Sequence, residues 1–157
     1  MTGHLDTITR YYDGCSTGDV ELMRATLTDD VVHWFLAPNP DSAAVRGGEH
    51  LARYWRKVHH LIGAVWIVDH VLGGTDEAVI EWTMFWTPPR SDRRVATRGA
   101  EWFAFAADGR ISEIRSYYRQ HDDRDTELDG FPYTERGYSR HGAEHSAVHT
   151  PAEETAS

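Results

Sequence analysis

The amino-acid sequence predicts an α+β layer fold, and three observations predict it. Apolar residues recur at helical spacing in three stretches before about residue 62, with one strand among them, and alternate at strand spacing after it. Residues 99–118 read as two aromatic and β-branched strands joined at Asp108-Gly109, a dipeptide that tolerates the positive φ of a type I′ turn. The chain of 157 residues is long enough for one domain with one core. Long antiparallel strands that follow helices pack those helices on one sheet face.

Taken in order, residues 4–16 form the first predicted helix, with Leu5, Ile8, Tyr12 and Cys15 at helical spacing and Tyr11 beside them. Thr17-Gly18-Asp19 breaks it. Asp19 then caps a second helix that carries Leu22, Met23, Thr26 and Leu27 on one side. Asp29-Asp30 closes that helix, and residues 31–37 read as a strand with His33 and Phe35 on one face. Pro38, Pro40, Gly47 and Gly48 mark a loop. Leu51, Tyr54, Trp55, Val58 and Ile62 then give the clearest helical stripe in the chain.

Residues 64–72 read as a strand with Trp66, Val68 and His70 on one face. After a turn at residues 73–76, residues 77–87 form a long strand. Its faces are Val79, Glu81, Thr83, Phe85 and Ile80, Trp82, Met84, Trp86. Residues 88–94 are a basic, exposed loop. In the last strand pair, Gly99, Glu101, Phe103 and Phe105 share one face. Glu101 is thus an acid among phenylalanines. It is either a solvated carboxylate on an open face or a carboxyl in an apolar pocket with a raised pKa.

Composition narrows the function classes. A net charge of −9 argues against a nucleic-acid partner, which needs clustered Lys and Arg. The single cysteine, Cys15, allows no internal disulfide and agrees with a reducing compartment. No signal pattern and no apolar run of about 18 residues is present, so a soluble cytoplasmic protein without a membrane partner is expected. Aromatics at 11% of residues, six Trp among them, suit an aromatic-lined cavity.

The domain is expected to span residues 1–120. Residues 121–157 read as an acidic, His-containing and partly disordered tail, because its end carries few large apolar side chains. Phe131-Pro132-Tyr133 and Tyr138 are exceptions, suited to packing back onto the core or covering a pocket mouth. His141, His145 and His149 would align only in a helix. Pro151 and the lack of an apolar stripe favour a solvated tail.

Four anchors together resemble the nuclear-transport-factor-2-like superfamily over residues 4–120. They are the helix ending Arg10-Tyr-Tyr-Asp-Gly-Cys-Ser-Thr-Gly-Asp19, then Leu27-Thr-Asp-Asp-Val-Val32, then Arg46-Gly-Gly-Glu-His-Leu51, and the closing Asp108-Gly-Arg-Ile-Ser-Glu-Ile114 hairpin. That superfamily includes SnoaL-type polyketide cyclases, ketosteroid isomerase, scytalone dehydratase and limonene epoxide hydrolase. The resemblance implies a cone-shaped α+β barrel: three N-terminal helices packed on a strongly curved, mostly antiparallel sheet. It implies a small apolar molecule inside the cone and a homodimer through the outer face, where Trp82, Trp86 and Trp102 are expected. Tyr11 falls where ketosteroid isomerase keeps its oxyanion-hole tyrosine, and Glu101 where it keeps a protonated acid. Phe35 stands in place of its catalytic aspartate, with His33 two residues earlier on the same face. His70 resembles a catalytic histidine of scytalone dehydratase.

On that geometry the candidate catalytic residues are Tyr11, His33, His70, Glu81 and Glu101. The substrate-binding candidates are Phe35, Trp55, Thr83, Phe85, Phe103, Ile114, Ser116 and Tyr118. Glu81 and Glu101 would sit close enough for one to hold its proton. His33 or His70 would abstract a proton, and Tyr11 with Glu101 would stabilise the enolate. Each has a structural reading too: a core tyrosine, backbone-bonded histidines, and a Glu81 ion pair with Arg98 or Arg115. Nothing in the spacing of His33, His70, Glu81 and Glu101 predicts a metal site, and no cofactor is expected. The expected activity is cyclisation, isomerisation or dehydration of a polyketide-like substrate. The alternative is a non-catalytic ligand-binding or dimerisation module.

Overall fold

Ile8, Tyr11, Tyr12 and Cys15 form one stripe of α1 (Thr2–Thr17), and none is more than 2% exposed. Spacing of three and four residues puts them on one helix face, which is the face that packs on the sheet. The computed structural model describes residues 2–39, 42–120 and 124–152. Asp19 caps α2 (Val20–Thr26): its Oδ1 accepts the Leu22 N–H at 3.0 Å. The third helix, α3 (Gly48–Ile62), buries Leu51 and Ala52 and ends at Gly63, whose φ of 60° continues no helix. Among the described residues no helix is long and apolar enough to cross a membrane.

Six strands complete the fold, two between α2 and α3 and four after α3: β1 (Leu27–Leu36), β2 (Val45–Arg46), β3 (Val65–Gly73), β4 (Glu77–Trp86), β5 (Val95–Phe105) and β6 (Ile111–Tyr118). They form one sheet in the order β2-β1-β6-β5-β4-β3, antiparallel except for β1 beside β6. The fold is therefore the expected three helices on a curved, mostly antiparallel sheet, and the sheet is not closed.

Four local expectations are corrected. First, Asp29-Asp30 does not separate helix from strand. Strand β1 starts at Leu27, and the two exposed aspartates sit where its register with β6 slips, between Leu27 and Val32. Second, Val45-Arg46 forms a short edge strand within the expected loop. Third, the Asp108-Gly109 turn is not type I′. Only Gly109 has positive φ, 87°, and the Gly109 N–H donates to the Ala106 carbonyl at 2.9 Å. That is a longer hairpin connection with one left-handed residue, which glycine supplies without strain.

The fourth correction decides the site. Strand β3 carries an extra residue at Asp69: Val68 pairs with Trp82, but His70 pairs with Glu81. A one-residue bulge reverses which face the following side chains take. His70 thereby lies on the opposite face from Trp66 and Val68.

In the segment after Gln120, where Phe131, Tyr133 and Tyr138 are the residues expected to pack back, residues 124–152 lie against the sheet. Asp125 Oδ1 and Thr126 Oγ1 accept the Ala96 and Arg98 N–H groups, both at 2.7 Å. Ser146 Oγ donates to the Val68 carbonyl at 2.5 Å, and His149 Nδ1 accepts the Val68 N–H at 3.0 Å. Those bonds cover β3, an edge strand that would otherwise present unpaired groups. Phe85, Ile67 and Ala96 form a second apolar cluster on this outer face, with His141 5.4 Å from the Phe85 ring. The segment is also pinned by Arg98. Its guanidinium donates to Glu127 at 2.5 Å, to the Ser139 carbonyl at 2.8 Å and to Thr83 at 2.8 Å, and stacks on Tyr133 at 3.9 Å.

Candidate functional site

The inner face is fixed by cross-strand register. Ile80 pairs with Glu101, Trp82 with Gly99, Met84 with Thr97 and Trp66 with Met84. Across β6, Glu101 pairs with Ser116 and Phe103 with Ile114. Beyond that, Ile114 and Ser116 pair with His33 and Phe35 of β1. Paired residues point the same way, so these side chains face the helices together.

Glu101 is the chemical centre of this face. It is 4% exposed, and its Oε2 accepts the Tyr12 hydroxyl at 2.5 Å. Burial pushes its pKa up to about 8, and the Tyr12 hydrogen bond draws it only partly back. At neutral pH the carboxyl keeps its proton and can donate a hydrogen bond. The Tyr11 and Tyr12 hydroxyls are both pushed well up, chiefly by burial. They remain neutral donors.

Glu101 borders a cavity of about 20 Å³ that is lined also by Trp55, Trp66, Trp82, Met84 and Tyr118. The rings interlock: Trp55 meets Trp66 at 5.2 Å and His33 at 5.5 Å, and Trp82 meets Tyr118 at 5.3 Å. Two buried polar atoms on this side have no hydrogen-bond partner, Trp82 Nε1 and His33 Nδ1, while the buried Tyr11 hydroxyl interacts with Cys15 and Trp55. Buried unpartnered groups are rare and costly. Trp82 borders the cavity, and its free donor suits a polar group supplied by a ligand.

His33 is held neutral. Burial lowers its pKa to about 3. Ser116 Oγ donates to the Trp34 carbonyl at 3.3 Å and lies 3.1 Å from His33 Nε2. The network therefore assigns the proton to Nε2 and leaves Nδ1 as an acceptor. Its ring stacks on Phe35 at 4.4 Å.

The structure brings together Tyr11, His33, Phe35, Trp55, Glu101, Phe103, Ile114, Ser116 and Tyr118 on the inner side. It places His70, Glu81, Thr83 and Phe85 on the outer face, which corrects the expected same-facing set. On β4 the face shared with Glu101 is Ile80, Trp82, Met84 and Trp86, not Glu81, Thr83 and Phe85. His70 follows the Asp69 bulge. Trp82 and Trp86 accordingly turn inward, and of the three tryptophans expected outside only Trp102 is there, 38% exposed. Glu81 and Glu101 do not share a proton across one pocket. Glu81 accepts the Tyr138 hydroxyl at 2.5 Å and lies 3.7 Å from His70. The four-residue set weighed for a metal is divided between two faces.

Sequence reasoning missed Tyr12, Trp66, Trp82 and Met84. Tyr12 was visible as a member of the α1 stripe, four residues from Ile8 and three from Cys15. Trp82 and Met84 follow from one choice of face for β4, which sequence alternation leaves open, and Trp66 of β3 faces Met84 across the sheet.

The profile of the SnoaL-like domain family matches residues 8–114. No curated protein matches the sequence. Among solved structures, a protein of unknown function with a cystatin-like fold from Methylobium petroleophilum PM1 is 32% identical. The match covers 96% of this chain and 97% of that one, with a TM-score of 0.66. A SnoaL-like polyketide cyclase from Shewanella denitrificans OS-217 is 12% identical over 74% of this chain and 90% of that one, with a TM-score of 0.63. A Mycobacterium tuberculosis protein, crystallised in complex with estradiol-17β-hemisuccinate, is 17% identical over 74% and 94%, with a TM-score of 0.62. The last two likenesses concern the fold alone.

Proposed function

The chain belongs to the SnoaL-like domain family, and from that premise we propose a cofactor-independent enzyme for an apolar, oxygenated, polyketide-like substrate. The observation that carries this reading is the Glu101 carboxyl, 4% exposed and bonded to the Tyr12 hydroxyl, beside a cavity into which the unpartnered Trp82 indole also faces. A carboxylic acid that keeps its proton at neutral pH serves as a hydrogen-bond donor or general acid toward a carbonyl or a departing hydroxyl. Trp82 Nε1 adds a donor of the kind that stabilises a developing oxyanion. His33, neutral and weakly basic, accepts a substrate hydroxyl at Nδ1. The reaction class is acid-first: cyclisation or dehydration begun by activating an oxygen, rather than proton abstraction by a strong base. His70 and Glu81 have no part in it.

The cavity holds about one water in volume, so a substrate must displace the rings that close it. Trp55 and Tyr118 are the partly exposed members and are the gate in this reading. The same small volume favours a second reading, in which the inner face is a filled core and the chain is a non-catalytic module.

Binding separates the two. An aromatic ketone and its parent hydrocarbon are titrated against the chain by tryptophan fluorescence, since three tryptophans line the cavity. The ketone is expected to bind more tightly than the hydrocarbon below pH 8 and to lose that advantage above it, as Glu101 ionises. Glu101→Gln keeps a donor and loses the pH dependence. Equal binding of both compounds at every pH, or no binding, overturns the enzyme reading in favour of the filled core.

A further inference from the structure

A second cavity opens on the outer face, with Trp82 the one residue that also lines the Glu101 cavity. It has a volume of about 420 Å³ and sits between the sheet and the C-terminal segment. Its floor is Ala100, whose neighbours in register are Glu81 on β4 and Tyr117 on β6. A small residue flanked by two long ones makes a trough there. Leu128, Phe131 and Tyr138 roof it. Phe131, Tyr133 and Tyr138 meet at 4.7, 6.0 and 5.7 Å, two of the three contacts edge to face, so their rings form a corner rather than a flat stack.

The charges at its wall are unequal. Arg98 is already matched by Glu127 at 2.5 Å and Asp69 at 3.5 Å. Guanidinium groups also lie over the Tyr133 and Phe131 rings: Arg98 and Arg140 on Tyr133, Arg136 on Phe131. Among the described residues no guanidinium lies over the Tyr117 or Tyr138 ring, Arg115 reaching only the Tyr117 hydroxyl and Arg136 lying nearer Phe131. Nor does Glu81 have an arginine partner among the described residues. Its partners are the neutral Tyr138 hydroxyl and the exposed His70 at 3.7 Å. A carboxylate beside aromatic rings is the chemistry that recognises an organic ammonium, and the net charge of −9 draws cations toward the surface.

We propose that this outer cavity is a second binding site, for a small organic ammonium with an apolar body. The body rests on Ala100 beneath Leu128 and Phe131. The ammonium lies between Glu81 and the Tyr138 and Tyr117 rings. The ammonium subsite is set apart from Glu101, because Glu81 and Ala100 face the opposite side of the sheet, and Trp82 is common to both linings.

The test is calorimetric titration of the full chain with 3-phenylpropyl-trimethylammonium, 3-phenylpropanol and 3-phenylpropionate. The ammonium is expected to bind at least fivefold more tightly than the alcohol, and the carboxylate more weakly than either. Glu81→Gln is expected to lower ammonium affinity about twofold to fivefold and leave the alcohol unchanged, the range for a partly exposed cation–carboxylate contact. Ala100→Leu fills the floor and abolishes binding of all three, with its melting curve showing that it folds. Glu101→Gln leaves the affinities unchanged, which distinguishes this site from the inner one. No ammonium binding by the wild type, equal affinity for ammonium and alcohol, or undiminished binding in folded Ala100→Leu overturns the proposal.

Discussion

Replacing Glu101 with Gln is expected to make the protein markedly more resistant to alkaline unfolding. The folded carboxyl keeps its proton to about pH 8, against an ordinary value of 4.5. Between those two values the folded state binds a proton that the unfolded state has lost. Stability therefore falls as pH rises through that window, and the penalty is complete above about pH 8. Each tenfold difference in proton affinity is worth about 1.4 kcal/mol. The displacement thus sets a ceiling of about 5 kcal/mol, and a loss of about 2–5 kcal/mol is expected for the wild type relative to the variant. Glutamine resembles the protonated acid in shape, and its carbonyl still accepts the Tyr12 hydroxyl. The difference therefore isolates ionisation. Urea unfolding of both proteins at half-unit intervals from pH 5 to 9 measures it. If the stability difference between wild type and variant is flat across that range, Glu101 is ionised or solvated in the folded protein, and the argument for an inner acid collapses.

Two other groups give independent checks. His33 is lowered from 6.5 to about 3 by burial, so the unfolded state binds the extra proton between those values and stability falls as pH drops below 6.5. Carbon and nitrogen NMR shifts of the His33 ring should show a neutral Nε2–H tautomer at pH 5, and a ring that titrates near 6.5 in the folded protein contradicts the burial argument. Arg98→Ala leaves Asp69, whose side chain is fully buried, without its cation and removes the clamp on residues 127–139. A loss of about 3–5 kcal/mol is expected, together with rapid proteolysis between residues 124 and 145. A variant that melts like the wild type shows that the C-terminal segment is held by something other than this network.

The helices were legible because a 3.6-residue period constrains one face strongly. Ile8, Tyr12 and Cys15, or Leu51, Trp55 and Val58, admit no other arrangement. The Asp19 cap was legible for a local reason as well, since its chemistry needs only the residue three positions on. Strands β1 and β6 were read correctly on the inner side because His33, Phe35, Ile114 and Ser116 lie on strands whose alternation is uninterrupted near the site. Strand β2 is two residues long, too short for any period to show.

The misreadings have one physical origin. A period of two identifies two faces but does not say which is inside, and both faces of β4 carry large apolar residues. The acid Glu81 and the hydroxyl Thr83 made one face look like a site. The tryptophans made the other look like an interface. Two features outside β4 resolve the choice. The bulge at Asp69 reverses His70, and the segment 124–152 buries the outer face, so that Phe85 has an apolar neighbourhood on a side that would otherwise be wet. Without the segment, Phe85 would be an exposed ring and Glu81 an ordinary surface acid. With it, the outer face acquires a roof, a carboxylate tied to the Tyr138 hydroxyl and the Arg98 clamp. The C-terminal residues therefore do more than cover the domain. They give the sheet a second sheltered surface, and polar residues that looked solvated in the sequence are what attach it.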